Sequence, residues 1–198
     1  MINQLKKLIR KMPVVVSFVV AVTVVTIFTE LIGTKAIESL GFTPASMSFR
    51  HLHTMVTYAF VHAGFMHWFY NICWILALGF LMESRLGSVR IGLLLFMGII
   101  SFSMSATMFN NSSTAPVIGC SGVAYSLLAA YVFTLYKTFR ILPIWEKVLG
   151  LILVVVPLWN LMISLTSPAG KRWLVATGVG VMIMFIYILS TKELIETE

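Results

Sequence analysis

Apolar residues run continuously along most of this chain, without the alternation of a half-buried strand, and Gly, Pro and charged residues collect at the breaks. Six runs stand out, near 13–33, 67–82, 91–109, 120–136, 148–165 and 174–190. Runs approaching roughly 20 apolar residues predict membrane-spanning helices, because in lipid only a helix or a closed barrel satisfies its own backbone. The predicted architecture is all-α, a polytopic membrane protein with six transmembrane helices. One membrane domain covers 13–190, with a basic segment over 1–12 and a short tail over 191–198. The second and sixth runs are short, which predicts ends embedded among neighbouring helices.

Composition strengthens this picture. Hydrophobic residues make up 59% of the 198 positions and charged residues 11%, against about 25% charged in a soluble domain. Lys6, Lys7, Arg10, Lys11, Arg85, Arg90, Lys137, Arg140, Lys147 and Lys192 fall on one side of a six-helix topology. Lys35, Arg50, Lys171 and Arg172 fall on the other, so the positive-inside rule predicts cytoplasmic N- and C-termini. The net charge of +7 follows helix-flanking loops rather than one basic, aromatic-studded face. That argues against nucleic acid and for lipid headgroups. The first run is long and lacks a small-x-small cleavage site, so it predicts a retained anchor. Short loops and the lack of an import signal predict a bacterial plasma (inner) membrane.

Between the first two runs, residues 34–66 carry Gly41, Pro44, Arg50, His51 and His53 among apolar residues, with Phe49, Tyr58 and Phe60 nearby. This is too apolar for a solvated loop and predicts a segment lying in the membrane interface. No internal repeat is evident, and charge within the spans is scarce apart from Glu30, which argues against a transporter or channel. Cys73 and Cys120 have neither disulfide nor metal-ligand spacing. Both are expected as small buried residues, the alternative being a reactive thiol at Cys120. No metal or organic cofactor is implied.

The chemistry-bearing residues gather in two places. Asn110-Asn111-Ser112-Ser113-Thr114-Ala115-Pro116 leads into Gly119-Cys120-Ser121-Gly122, which opens the fourth run. His62, His67 and Asn71 lie around the start of the second. A hydroxyl at a helix start sits beside backbone N–H groups that favour negative charge. Asn71 lies one turn after His67, so both project toward one partner. Peptide hydrolysis needs a nucleophile, oxyanion donors and a base. Ser121 can supply the first, and His67 and Asn71 with the Ser121 N–H the second. The plainer alternative is an intramembrane His and Asn holding helices together. His62 is expected near the mouth of the site, in contact with water or a loop. His51 and His53 are expected at the interface without chemistry.

Gly122, Ser126, Ala129 and Ala130 put small residues on the fourth helix, permitting close approach by a neighbour, and Ala176-x3-Gly180 offers a match on the sixth. Glu83 and Arg85 follow the second run, where an interfacial ion pair is the simplest expectation.

Together, His62-x4-His67-x3-Asn71, Glu83-Ser84-Arg85-Leu86-Gly87 and Gly119-x-Ser121-Gly122 resemble the rhomboid family of intramembrane serine proteases over about residues 55–190. The resemblance implies a rhomboid-like six-helix bundle, Ser121 as nucleophile, His67 and Asn71 as oxyanion donors, and Glu83 and Arg85 as an anchor on the cytoplasmic side. It implies partners that are transmembrane-helix proteins, cleaved within or near the bilayer. Lateral access is then expected past the fifth helix, which holds Pro157, Trp159 and Asn160.

The chain departs from the family pattern where the general base is due. The family takes that base from a His on the sixth helix, and no His follows His67. Alignment on Ala176-x3-Gly180 places Trp173 there, and an ungapped reading places Arg172. Trp cannot accept a proton and Arg stays charged. Lys171 is the sole nearby substitute, since a desolvated Lys can act as a base. The family's Trp-Arg pair in the first loop is also replaced, by His53-Thr54 at the expected spacing. The alternative function is therefore a pseudoprotease, a non-cleaving relative that binds membrane helices.

Overall fold

The computed structural model describes residues 10–164, and these are predominantly helical. Helix α1 spans Pro13–Ile32, followed by a short α2, Thr34–Leu40. Two 3₁₀ turns, a one-turn α3 (Thr54–Thr57) and a third 3₁₀ turn (Tyr58–Phe60) complete the first loop. Then come α4 (Phe65–Leu86), α5 (Ser88–Asn110), α6 (Ser121–Thr138) and α7 (Ile144–Ser164). Five of the six apolar runs thus fall on helices, and the sixth lies outside the described residues. Among the described residues, α1, α4 and α5 are long and apolar enough to cross a membrane, and α6 has a shorter apolar stretch, Ser121–Tyr136.

α6 is the inner helix. Val123, Leu127, Leu128, Ala130 and Tyr131 are all buried around its circumference, which is why its sequence shows no polar stripe. It packs chiefly on α5 and α4. The close partner of its small residues is Gly98 on α5: a Cβ on Gly122 would lie 2.9 Å from Gly98 O and 2.6 Å from Phe102 Cβ. Ala176 and Gly180 lie outside the described residues.

α4 corrects the expected shortness of the second helix, while its C-terminal end is embedded as expected, with Leu81, Met82, Glu83 and Leu86 buried. It has 22 residues rather than the 16 of the apolar run 67–82, because Glu83 and Arg85 continue the helix to a glycine at φ 81°, Gly87. These polar residues stay helical because tertiary contacts satisfy them. Glu83 is buried and accepts hydrogen bonds from Val14 N and Val15 N, both at 2.9 Å, and from Ser88 Oγ at 2.7 Å. The carboxylate thereby caps α1, whose first turn, opened by Pro13, leaves N–H groups without helical acceptors. Arg85 instead forms a salt bridge to the buried Glu146 in the first turn of α7. The expected Glu83–Arg85 pair is therefore two separate ties, one to α1 and one to α7.

Glu83→Ala should strand two buried backbone donors and lower stability by roughly 2–3 kcal/mol. Thermal unfolding in detergent micelles, compared with wild type, measures this. An unchanged midpoint would mean that the cap contributes nothing.

Candidate functional site

Ser121 is the first residue of α6 and half-buried. The turn that delivers it is held by the first loop. Phe42 and Val117 exchange backbone hydrogen bonds of 3.0 and 2.7 Å, and Gly119 N donates to Tyr58 O at 2.9 Å. Tyr58 is itself anchored by its hydroxyl on Ile99 O of α5 (2.8 Å) and by stacking on Phe102. Tyr58 is thus a buried strut, not the interfacial aromatic its neighbours suggested, whereas Phe49 is 94% exposed and Phe60 half-buried. His51 and His53 are exposed.

Gly119 has φ of 100°, which disfavours any L side chain, and its missing Cβ makes room for His67. A Cβ there would lie 2.6 Å from Cε1 and 2.8 Å from Nε2 of that ring. The imidazole of α4 therefore lies against the backbone two residues before Ser121. Ala63 N donates to His67 Nδ1 at 3.4 Å, which assigns the ring proton to Nε2 and makes that nitrogen a donor on the Gly119 side. Asn71 is buried, and its Nδ2 donates to His67 O within α4 at 2.9 Å. One amide hydrogen is thus taken by the helix and the other remains to the side chain.

His62 departs most from expectation. Instead of sitting at a wet mouth it is 1% exposed, behind the serine turn. Its Nδ1 meets Thr26 Oγ1 of α1 at 3.1 Å, and Thr26 Oγ1 donates to Phe60 O at 3.1 Å. Its Nε2 accepts from Cys120 N at 3.4 Å and lies 3.4 Å from Cys120 Sγ. The resulting order, Thr26 to His62 to Cys120, links α1, the loop and the start of α6. Sequence reading missed it because it joins positions 26, 62 and 120. The one available signal was the set Thr23, Thr26 and Thr29 in the mostly apolar run of α1.

Burial, and secondarily the neighbouring His67, push His62 down to about 3. Its folded value lies below the unfolded 6.5, so the neutral ring's contribution is fully present above about 6.5 and is lost as pH falls toward 3. A fall in melting temperature across that window, diminished in His62→Gln, is expected. An identical pH profile in the variant would contradict it. Cys120 is 1% exposed, which matches core filling and not the reactive-thiol alternative. Cys73, expected to be buried, is exposed on α4.

Of the expected site residues, the fold brings His67 against Gly119 and places Gly122 at the α5 contact. Glu83 and Arg85 lie toward the other end of α4 from His67. Lys171 lies outside the described residues. No cluster of three or more potential metal-ligating side chains occurs among the described residues.

The Rhomboid domain family model matches residues 50–190, which include Tyr58, His62, His67, Asn71 and the serine turn. The chain belongs to the rhomboid family. Among curated proteins, human Rhomboid-related protein 3 is 37% identical over 76 residues, 38% of this chain and 18% of that protein. Mouse Rhomboid-related protein 2 is 28% identical over 85 residues, 43% of this chain and 28% of its own length. This rhomboid chain thus spans a minor part of the length of those relatives. Family membership and the long apolar helices make it an integral membrane protein.

Proposed function

We propose that this rhomboid is an intramembrane serine endopeptidase acting on transmembrane-helix proteins, with Ser121 as nucleophile. The observation that carries the reading is the His67 ring seated against Gly119, with its protonated nitrogen on the side of the serine turn. In this mechanism Ser121 Oγ attacks the scissile carbonyl carbon and its proton passes to a base. The Ser121 N–H, His67 Nε2–H and Asn71 amide stabilise the oxyanion, collapse of the tetrahedral intermediate expels the amine with the proton held by the base, and water then hydrolyses the Ser121 ester to free the acid and the serine. The general base is unassigned, with Lys171, just before the sixth run, as the substitute. A helical substrate must unwind locally to present that carbonyl, which favours sideways access from lipid beside α7. The distribution of Lys and Arg supports cytoplasmic termini, and the short loops support a bacterial plasma membrane.

One observation favours a second reading: no His follows His67, so the family's base is missing. Loss of a general base typically removes about 10²–10⁴-fold of rate. The second reading is a pseudoprotease that binds membrane helices without cutting them. A fluorogenic transmembrane helix, co-reconstituted with the protein in vesicles, separates the two. Fragments above the protein-free blank support the peptidase. Retention of the intact helix with no fragments supports the binder and rejects the peptidase.

A further inference from the structure

A cavity of about 460 Å³ lies between α1 and α2, away from the serine turn. Val24, Val25, Phe28 and Ile32 of α1 form one wall, and Lys35 and Ala36 of α2 the other. From Val24 to Ile32 the groove runs about 12 Å along the helix axis, at 1.5 Å per residue. α1 is long enough to cross a membrane, and Val24, Phe28 and Ile32 are more than half exposed, so this wall faces acyl chains. Ile32 ends the span, and Lys35 stands just beyond it at the depth of the headgroups.

A lysine therefore lines the headgroup end of an apolar groove that descends toward the bilayer midplane, a distribution of charge and apolar surface complementary to an anionic phospholipid. Lys35 is exposed and makes no ion pair among the described residues. Glu38, one turn along α2, does not line the cavity. Ala36 is 4% exposed and its small side chain keeps the α2 wall low. We propose that this groove binds one anionic phospholipid, with an acyl chain along Val24–Ile32 and the phosphate on Lys35 Nζ. An ammonium at the edge of an apolar groove complements the phosphate by charge and the acyl chain by burial of apolar surface.

The test is native mass spectrometry of the full-length protein from micelles supplied with equal phosphatidylglycerol and phosphatidylcholine. Wild type should retain one phosphatidylglycerol, favoured about five-fold over phosphatidylcholine, the order expected of one contact between unit charges in water. Lys35→Ala, at an exposed position, should erase the preference. Ala36→Phe should fill the groove and lose both lipids, with circular dichroism reporting its helix content. Equal retention of the two lipids by wild type, or an unchanged preference in Lys35→Ala, overturns the proposal. So does cross-linking of a groove cysteine to a second copy with no lipid retained. If Ala36→Phe fails to fold, the Lys35→Ala comparison decides alone.

Discussion

Ser121→Ala is expected to abolish cleavage of a membrane-helix substrate, with a loss of at least about 10²-fold and the fold retained. Removing the nucleophile of a serine hydrolase leaves only the catalysis that binding and the oxyanion hole provide. The wild-type rate is expected to be low already, because the sixth-helix base is missing and a general base typically contributes about 10²–10⁴-fold. The ratio is therefore measured in single-turnover time courses, with wild type and variant in the same vesicles. The fold should survive, because the substitution removes one hydroxyl from a half-buried position at the start of α6, adds no volume and costs no more than about one hydrogen bond, roughly 0.5–1.5 kcal/mol. Equal rates in the two proteins would remove Ser121 from the chemistry.

The second large effect is structural. Gly122→Leu should destabilise the bundle by about 3 kcal/mol or more, above the usual 1–3 kcal/mol for overpacking. Its Cβ would lie 2.6 Å from Phe102 Cβ, 2.8 Å from Phe102 Cγ and 2.9 Å from Gly98 O. A side chain can rotate away, but a backbone oxygen recedes only if α5 moves with it. Gly98 meets the same contact from the other side, since a Cβ there would lie 3.1 Å from Gly122 O. Gly98→Ala should accordingly weaken the fold in the same direction and by less. Heat denaturation in micelles measures both, and a wild-type midpoint for Gly122→Leu would show that the two helices separate freely.

Helix positions were legible in the sequence because lipid demands long unbroken apolar runs, and that demand is local. The ends of α4 were not. Their polarity is offset at Glu83 by donors 68 and 69 positions away, and no local pattern encodes such a partner. The serine turn was legible from Gly119 to Gly122, because a small-residue turn carrying a hydroxyl into an apolar run is unusual on its own. What holds that turn was hidden: Tyr58 read as an interfacial aromatic and His62 as a rim residue. Both are buried because the first loop folds back onto residues 113–119 through backbone hydrogen bonds, which leave no mark in the side-chain pattern. Likewise Gly122 read as one of a stripe of small residues, while its partner Gly98 sits in an apolar run with no mark of its role.

The peptidase reading rests on Ser121 being a reactive hydroxyl beside working oxyanion donors. Labelling of the reconstituted protein with a fluorophosphonate, with the modified peptide mapped by mass spectrometry, tests this most directly. The expected result is a single adduct on Ser121, absent in Ser121→Ala and at least about ten-fold slower to form in His67→Ala, since one oxyanion donor is typically worth 10²–10³-fold. No adduct on wild type, or one that persists in Ser121→Ala, would contradict it.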